Sequence, residues 1–190
     1  MSASDDLALP EVRPWQVISS TTLFSRHWLE LREDRVRLAN GHEIEQFHVL
    51  VGPSWAGVVC VTEDDRVVLV RQYRHGLRGA SLELPAGVIE GAEDPMLAAQ
   101  RELLEETGYG ADRWVPLLSV AAEPARHAHR AHFFCAQGAR HVAAPRRDAS
   151  EEMHVVLVQR SRLIELVERG QIVHGVHIGA ILLAARRGLL

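Results

Sequence analysis

Between Asp94 and Gly108 the sequence specifies a single helix with both ends marked, and that helix carries three carboxylates on one face. Asp94 is a favoured N-cap type, Pro95 suits the first helical position, where the N–H is unpaired anyway, and Gly108 supplies the stop. Glu102, Glu105 and Glu106 stand at i, i+3 and i+4, so their side chains project close together. Like charges so placed repel and weaken the helix unless something positive sits among the oxygens. Hard divalent cations with oxygen ligands meet that need, which points to Mg²⁺ or Mn²⁺. Such ions neutralise a diphosphate and lower the pKa of a bound water, so the helix points to phosphoryl chemistry. An acidic helical face is by default only a solvated one, and the residues around it must decide.

Around the helix lie β-rich segments. Residues 15–48 alternate apolar and polar positions, with Asn40-Gly41 as a hairpin signal before a further run at 43–51. Runs at 57–62 and 66–71 read as central strands separated by the charged turn Glu63-Asp64-Asp65. Residues 114–136 read as strands interrupted by a polar loop at 123–130, residues 137–152 as a long loop, and 153–159 as another strand. Helices are expected at 161–169, stopped by Gly170, and at 176–187. A length of 190 residues suits one compact domain with a small appendage. The expected division is a flexible tail at 1–14, an N-terminal β-unit at 15–51 and the main domain at 52–190.

A formal charge of −4 with no long Lys/Arg run argues against gripping a nucleic-acid backbone, so the expected partner is a small molecule. Cys60 and Cys135 sit in apolar runs, as reduced buried thiols do, and no disulfide is expected. The first 14 residues lack a positive start and an apolar core, and no apolar run reaches the roughly 18 residues of a membrane span, so the cytoplasm is the expected location. Among the 11 histidines, His127, His129 and His132 lack a recognised zinc spacing, and His174 and His177 read as packing or capping groups.

The helix does not stand alone. Gly87, five residues, Glu93, seven residues, then Arg101-Glu102-Leu103-Leu104-Glu105-Glu106-Thr107-Gly108-Tyr109 resembles the Nudix box at every fixed position, with Tyr109 where that family usually carries an aliphatic residue. The resemblance implies that Glu102, Glu105 and Glu106 hold two or three Mg²⁺ or Mn²⁺ ions with the Ala86 carbonyl. It also implies that Gly87 makes the tight turn, that Arg101 orients the acidic residues and that Glu93 supports them. Beyond the box, residues 15–185 resemble the ADP-ribose pyrophosphatase branch. The similarity rests on Arg71-Gln72-Tyr73-Arg74 before Leu82-Glu83-Leu84-Pro85-Ala86-Gly87, and on Pro124, fifteen residues after Tyr109. There Arg74 is expected on phosphate and Glu83 at the site. The loop around Arg126, a further candidate for the substrate, lacks the Gly-rich stretch common in that branch. Trp28 could stack on a base, packing being its other reading. The family often draws the base, or a further metal ligand, that positions the attacking water from a loop before a late strand, which here offers Glu151 for either role, with Glu152 nearly as good and Ala149 at a further family position two residues back.

The implied fold is an α/β/α sandwich around a mixed sheet, preceded by a small antiparallel β-unit, and the implied assembly is a homodimer. The implied reaction is Mg²⁺-dependent cleavage of ADP-ribose or a related nucleoside diphosphate sugar. Two other readings stay open. One is a housecleaning hydrolase of nucleoside triphosphates or dinucleoside polyphosphates. The other is a non-catalytic sensor of ADP-ribose-type ligands, although such modules commonly lose box carboxylates and all three remain here.

Overall fold

Alternation of side chains and the Asn40-Gly41 turn are what shape the first part of the chain. The computed structural model describes residues 9–146 and 152–190, in two units, Met1–Gly52 and Pro53–Leu190. In the first unit, β1 (Gln16–Arg26), β2 (Leu29–Arg37) and β3 (Glu43–Val51) form an antiparallel sheet in that order. At the β2–β3 turn Gly41 takes φ 85°, which glycine adopts without strain, and its N–H reaches Leu38 O at 3.0 Å. All of β1 is exposed, whereas Val36 and Asp34 of β2 are buried, the latter held by Arg32 at 2.9 Å and Ser20 at 2.6 Å.

The second unit is built on β4 (Trp55–Thr62) and β5 (Arg66–Arg74), whose Val-rich cores are buried on both faces and therefore read as continuous apolar runs. Then come β6 (Gly79–Glu83), β7 (Ala86–Val88), α1 (Pro95–Thr107), β8 (Tyr109–Gly110), β9 (Arg113–Val120), β10 (Ala131–His141), β11 (Met153–Gln159), α2 (Leu163–Glu168) and α3 (Gly175–Arg186). The sheet runs β11-β5-β4-β10-β8, with β6 on β5, β7 on β4 and β9 on β10. Among the described residues only β4 and β10 pair in parallel, so the sheet is mixed. Alternate strand residues face two cores. Val58, Cys60 and Val68 pack with Ala98, Ala99 and Leu103 of α1, while Val59, Val61, Val67 and Leu69 pack with Leu163 of α2 and Ala180, Ile181 and Ala184 of α3. This is the expected sandwich.

Three details depart from the sequence-based expectation. β10 continues through Gln137 to His141, because a kink at Gly138 (φ 66°) lets Arg140 and His141 pair with Gly110 and Tyr109. The short β6 and β7 are too brief to carry a periodic signal, and the expected helix at 161–169 opens with a 3-10 turn at Arg160–Arg162. Among the described residues no helix is long and apolar enough to cross a membrane.

Candidate active site

The N-terminus of α1 is fixed as its sequence demands: the Asp94 carboxylate accepts from Met96 N–H at 2.8 Å, and Gly108 closes the helix with φ 76°. With Leu103 sealed in the core, the acidic residues are turned toward β7. Arg101 is their organiser. Its Nη1 donates to Glu102 at 2.8 Å and Glu105 at 3.1 Å, its Nη2 to Val88 O at 2.9 Å and Glu93 at 3.0 Å, and its Nε to Glu93 at 3.2 Å. Those carboxylates hold the guanidinium charged, and the hydrogen bond from Arg101 keeps Glu93 below the usual carboxylate range. Glu106, buried, accepts from Ala86 N–H at 3.0 Å. Gly87 matters for what it lacks, since a Cβ there would fall on the Glu102 carboxylate.

Arg74 and Glu83 form the second element. Both lie on the same face of the β5–β6 pair, and Arg74 binds Glu83 as a fork, Nε to Oε1 at 2.9 Å and Nη2 to Oε2 at 2.6 Å. Glu83 is buried, which acts to raise its pKa, but the Arg74 hydrogen bonds and charge outweigh burial and leave it lowered. Two cavities meet at Arg74. One, of about 350 Å³, is lined by Gln72, Tyr73, Arg74, Ala86, Glu106 and Glu152, with Met153. The other, of about 620 Å³, shares Arg74 and Ala86 and extends past Glu83 to Trp55, His174 and His177.

This geometry can be set beside known proteins. The family profile described as NUDIX domain matches residues 53–154. The chain belongs to the Nudix family. By that membership it is a Nudix hydrolase. A second profile, described as nucleoside diphosphate sugar hydrolase N-terminal domain, matches residues 15–50. The chain is 31% identical over 170 residues to an ADP-ribose pyrophosphatase of Mycobacterium tuberculosis, covering 88% of this chain and 82% of that one. It is 34% identical over 123 residues to a methanol dehydrogenase activator of Bacillus methanolicus, 65% of this chain and 66% of that one. The crystal structure of an ADP compounds hydrolase superposes with a TM-score of 0.82 over 94% of this chain and 96% of that chain, at 19% identity, and so shares the fold.

Within this Nudix domain the structure brings together Arg74, Glu83, Ala86, Gly87, Arg101, Glu102, Glu105 and Glu106. Of the two candidates for positioning water, Glu151 lies outside the described residues, as does Ala149, whereas Glu152 lines the smaller cavity. Arg126 stands on an exposed loop near Glu123, 3.9 Å away, and lines neither cavity. Trp28 belongs to the first unit, where it is exposed in the β1–β2 turn against His27. His174 and His177, read from sequence as packing or capping, line the larger cavity as a stacked pair, and His174 makes no side-chain cap to α3. The His174-Gly175-Val176-His177 spacing, i and i+3 at a helix start, was the available signal.

The donor set fits a hard divalent cation: carboxylate oxygens along one helix face, a backbone carbonyl on the facing strand, and a glycine that leaves room for Glu102 between them. Among the described residues no three His, Cys, Asp or Glu side chains already converge as a cage, so an ion would draw these carboxylates from their present partners. Divalent-metal dependence is general among Nudix ADP-ribose pyrophosphatases.

Proposed function

We propose that this protein hydrolyses the diphosphate of ADP-ribose or a related nucleoside diphosphate sugar, releasing a nucleoside monophosphate and a sugar phosphate. The observation that carries the reading is the meeting of Glu106, Ala86 and Arg74 on one polar cavity beside the Arg101-organised carboxylates. The similarity to an ADP-ribose pyrophosphatase along most of both chains and the N-terminal profile support it.

Glu102, Glu105, Glu106 and the Ala86 carbonyl are the groups that would hold two or three Mg²⁺ or Mn²⁺ ions. Such ions, when bound, neutralise the diphosphate and lower the pKa of water. Arg74 spends Nε and one side of its fork on Glu83, which leaves Nη1 to donate to a phosphate oxygen from a fixed position. Arg101 holds the Glu102 and Glu105 carboxylates in place through its Nη1 hydrogen bonds. A loop carboxylate, Glu151 or else Glu152, takes the proton of the attacking water as its oxygen bonds to phosphorus and the bridging P–O bond breaks. Trp28 and Arg126 remain candidates for contact with substrate.

We also assign the protein as a cytoplasmic homodimer. Exposed Val17, Leu23, Phe24 and Leu29 on the N-terminal sheet support an apolar contact between copies, and the two free buried thiols support a reducing compartment. Light scattering on the purified chain tests the dimer, a monomer at micromolar concentration being the refuting result.

The function is tested by incubating the chain with Mg²⁺ and ADP-ribose, ADP-glucose, GDP-mannose, diadenosine polyphosphates or nucleoside triphosphates, beside Glu105→Gln and Glu106→Gln. AMP and ribose 5-phosphate from ADP-ribose, with both variants silent, is the expected result. Pyrophosphate release from triphosphates alone, or ligand binding without cleavage, overturns it.

A further inference from the structure

The chain changes sheet partners between Glu83 and Ala86. β6 pairs with β5, β7 pairs with β4, and Leu84 and Pro85 alone lie between them. Pro85 has no N–H, and its carbonyl accepts from Val58 N–H at 2.9 Å. Ala86 N–H goes to Glu106 at 3.0 Å. Leu84, 1% exposed, has left the ladder, so its N–H needs a partner from elsewhere. That partner is His177, 93 residues on, whose Nδ1 accepts at 3.2 Å.

His177 lies in the first turn of α3 and is buried. Packing alone does not call for a histidine here, because an aliphatic side chain would fill such a place without burying two ring nitrogens. The hydrogen bond from Leu84 gives one of those nitrogens its use. It also fixes the tautomer, since a neutral ring that accepts at Nδ1 carries its proton on Nε2. Three neighbours hold the ring: His174 stacks on it at 3.9 Å and 8°, and Trp55 and Phe133 stand at 5.5 Å. The acceptor is thereby fixed in place. The N–H that meets it belongs to the residue after Glu83 and two before Ala86.

We infer that His177 is a positioning residue for the active site, setting from α3 the bend that places Glu83 and the Ala86 carbonyl. The inference rests on the proposed ion-assisted hydrolysis, in which that carbonyl is a ligand. An ion site tolerates displacements of only about 0.5 Å in its donors. A loosened bend therefore weakens ion binding without removing any ligand.

The test uses the full-length protein and Mn²⁺ alone, with binding followed by calorimetry. His177→Phe keeps a ring in the stack and offers no acceptor, whereas His177→Asn restores an oxygen on the same carbon that bears Nδ1. Ile181→Ala hollows the core under α3 without any polar role and controls for lost stability. His177→Phe is expected to weaken Mn²⁺ binding by about tenfold or more, His177→Asn to stay within about threefold of the unaltered chain, and Ile181→Ala within about twofold. Unchanged Mn²⁺ binding in His177→Phe overturns the inference. Equal losses in the two His177 variants, or a matching loss in Ile181→Ala, do the same, because packing then carries the effect. Nitrogen NMR of the unaltered chain decides without any variant: a proton on His177 Nε2 alone is expected, and one on Nδ1 refutes the hydrogen bond. An unaltered chain that binds no Mn²⁺ overturns the inference together with the ion site. If it binds Mn²⁺ but cleaves no nucleoside diphosphate sugar, the functional reading fails by itself and the comparison of variants still decides the role of His177.

Discussion

Gly87→Ala isolates one contact at the centre of the site. The Gly87 φ is not in the left-handed region, so alanine carries no backbone penalty there, and the effect is purely steric. The added methyl would fall on the carboxyl carbon and both oxygens of Glu102. To admit it, Glu102 must swing away and give up its 2.8 Å bond to Arg101. A hydrogen bond between charged groups contributes about 1.5–3 kcal/mol. Arg101 keeps Glu93, Glu105 and Val88 O, so the low end applies. About 1.5 kcal/mol lowers the thermal midpoint of a chain this size by roughly 3–6 °C. Because Glu102 is also displaced from the proposed ion site, turnover should fall by about 10²-fold or more. The decisive assay is a double-mutant cycle followed by thermal unfolding. In a Glu102→Ala background the obstructing carboxylate is gone, so adding Gly87→Ala should cost little further stability. Additive losses in the cycle, or full ADP-ribose turnover by Gly87→Ala, would refute the contact as the reason for glycine at this position.

Other perturbations separate the structural parts from the chemical ones. Asp94→Ala removes the α1 cap and should cost about 1 kcal/mol in urea unfolding while leaving kcat unchanged. Arg74→Lys cannot reproduce the fork on Glu83, and kcat/KM for ADP-ribose should fall by about tenfold or more, read as AMP release by chromatography. Burial and the neighbouring His174 push the His177 imidazole down to about 3, from an ordinary value of 6.5. Between those limits the unfolded chain binds the extra proton. Stability from this group is therefore complete above about pH 6.5 and declines as pH falls, by up to about 1.4 kcal/mol per pH unit. Denaturant unfolding at pH 7 and pH 5 should show a smaller difference for His177→Gln than for the unaltered chain.

What the sequence makes legible follows from how local each signal is. α1 carries its start, stop and acidic face within one segment, so Asp94, Pro95, Gly108 and the three glutamates could be assigned without any knowledge of the fold. The end of β10 could not, because Gln137 to His141 looks polar and loop-like until the two residues of β8 pair with it. The Arg74–Glu83 fork was visible only as two separate candidates, since pairing across β5 and β6 decides that they meet. The larger cavity was hidden altogether. Trp55 and His177 come from opposite ends of the domain, and no periodicity within either segment reports that their rings lie 5.5 Å apart.

Arg101 has a consequence for the order of events in the life of the molecule. Small metal-built domains stay unfolded until the ion arrives, because nothing else offsets their clustered ligands. Here a positive charge is already part of the chain, touching Glu93, Glu102 and Glu105 at once. Folding and ion capture are thereby uncoupled in time. On the proposed function, the chain can finish folding as it is synthesised and acquire the proposed ions afterwards, by trading some of Arg101's hold on Glu102 and Glu105 for theirs. A chelator should then leave a folded protein waiting to be reloaded.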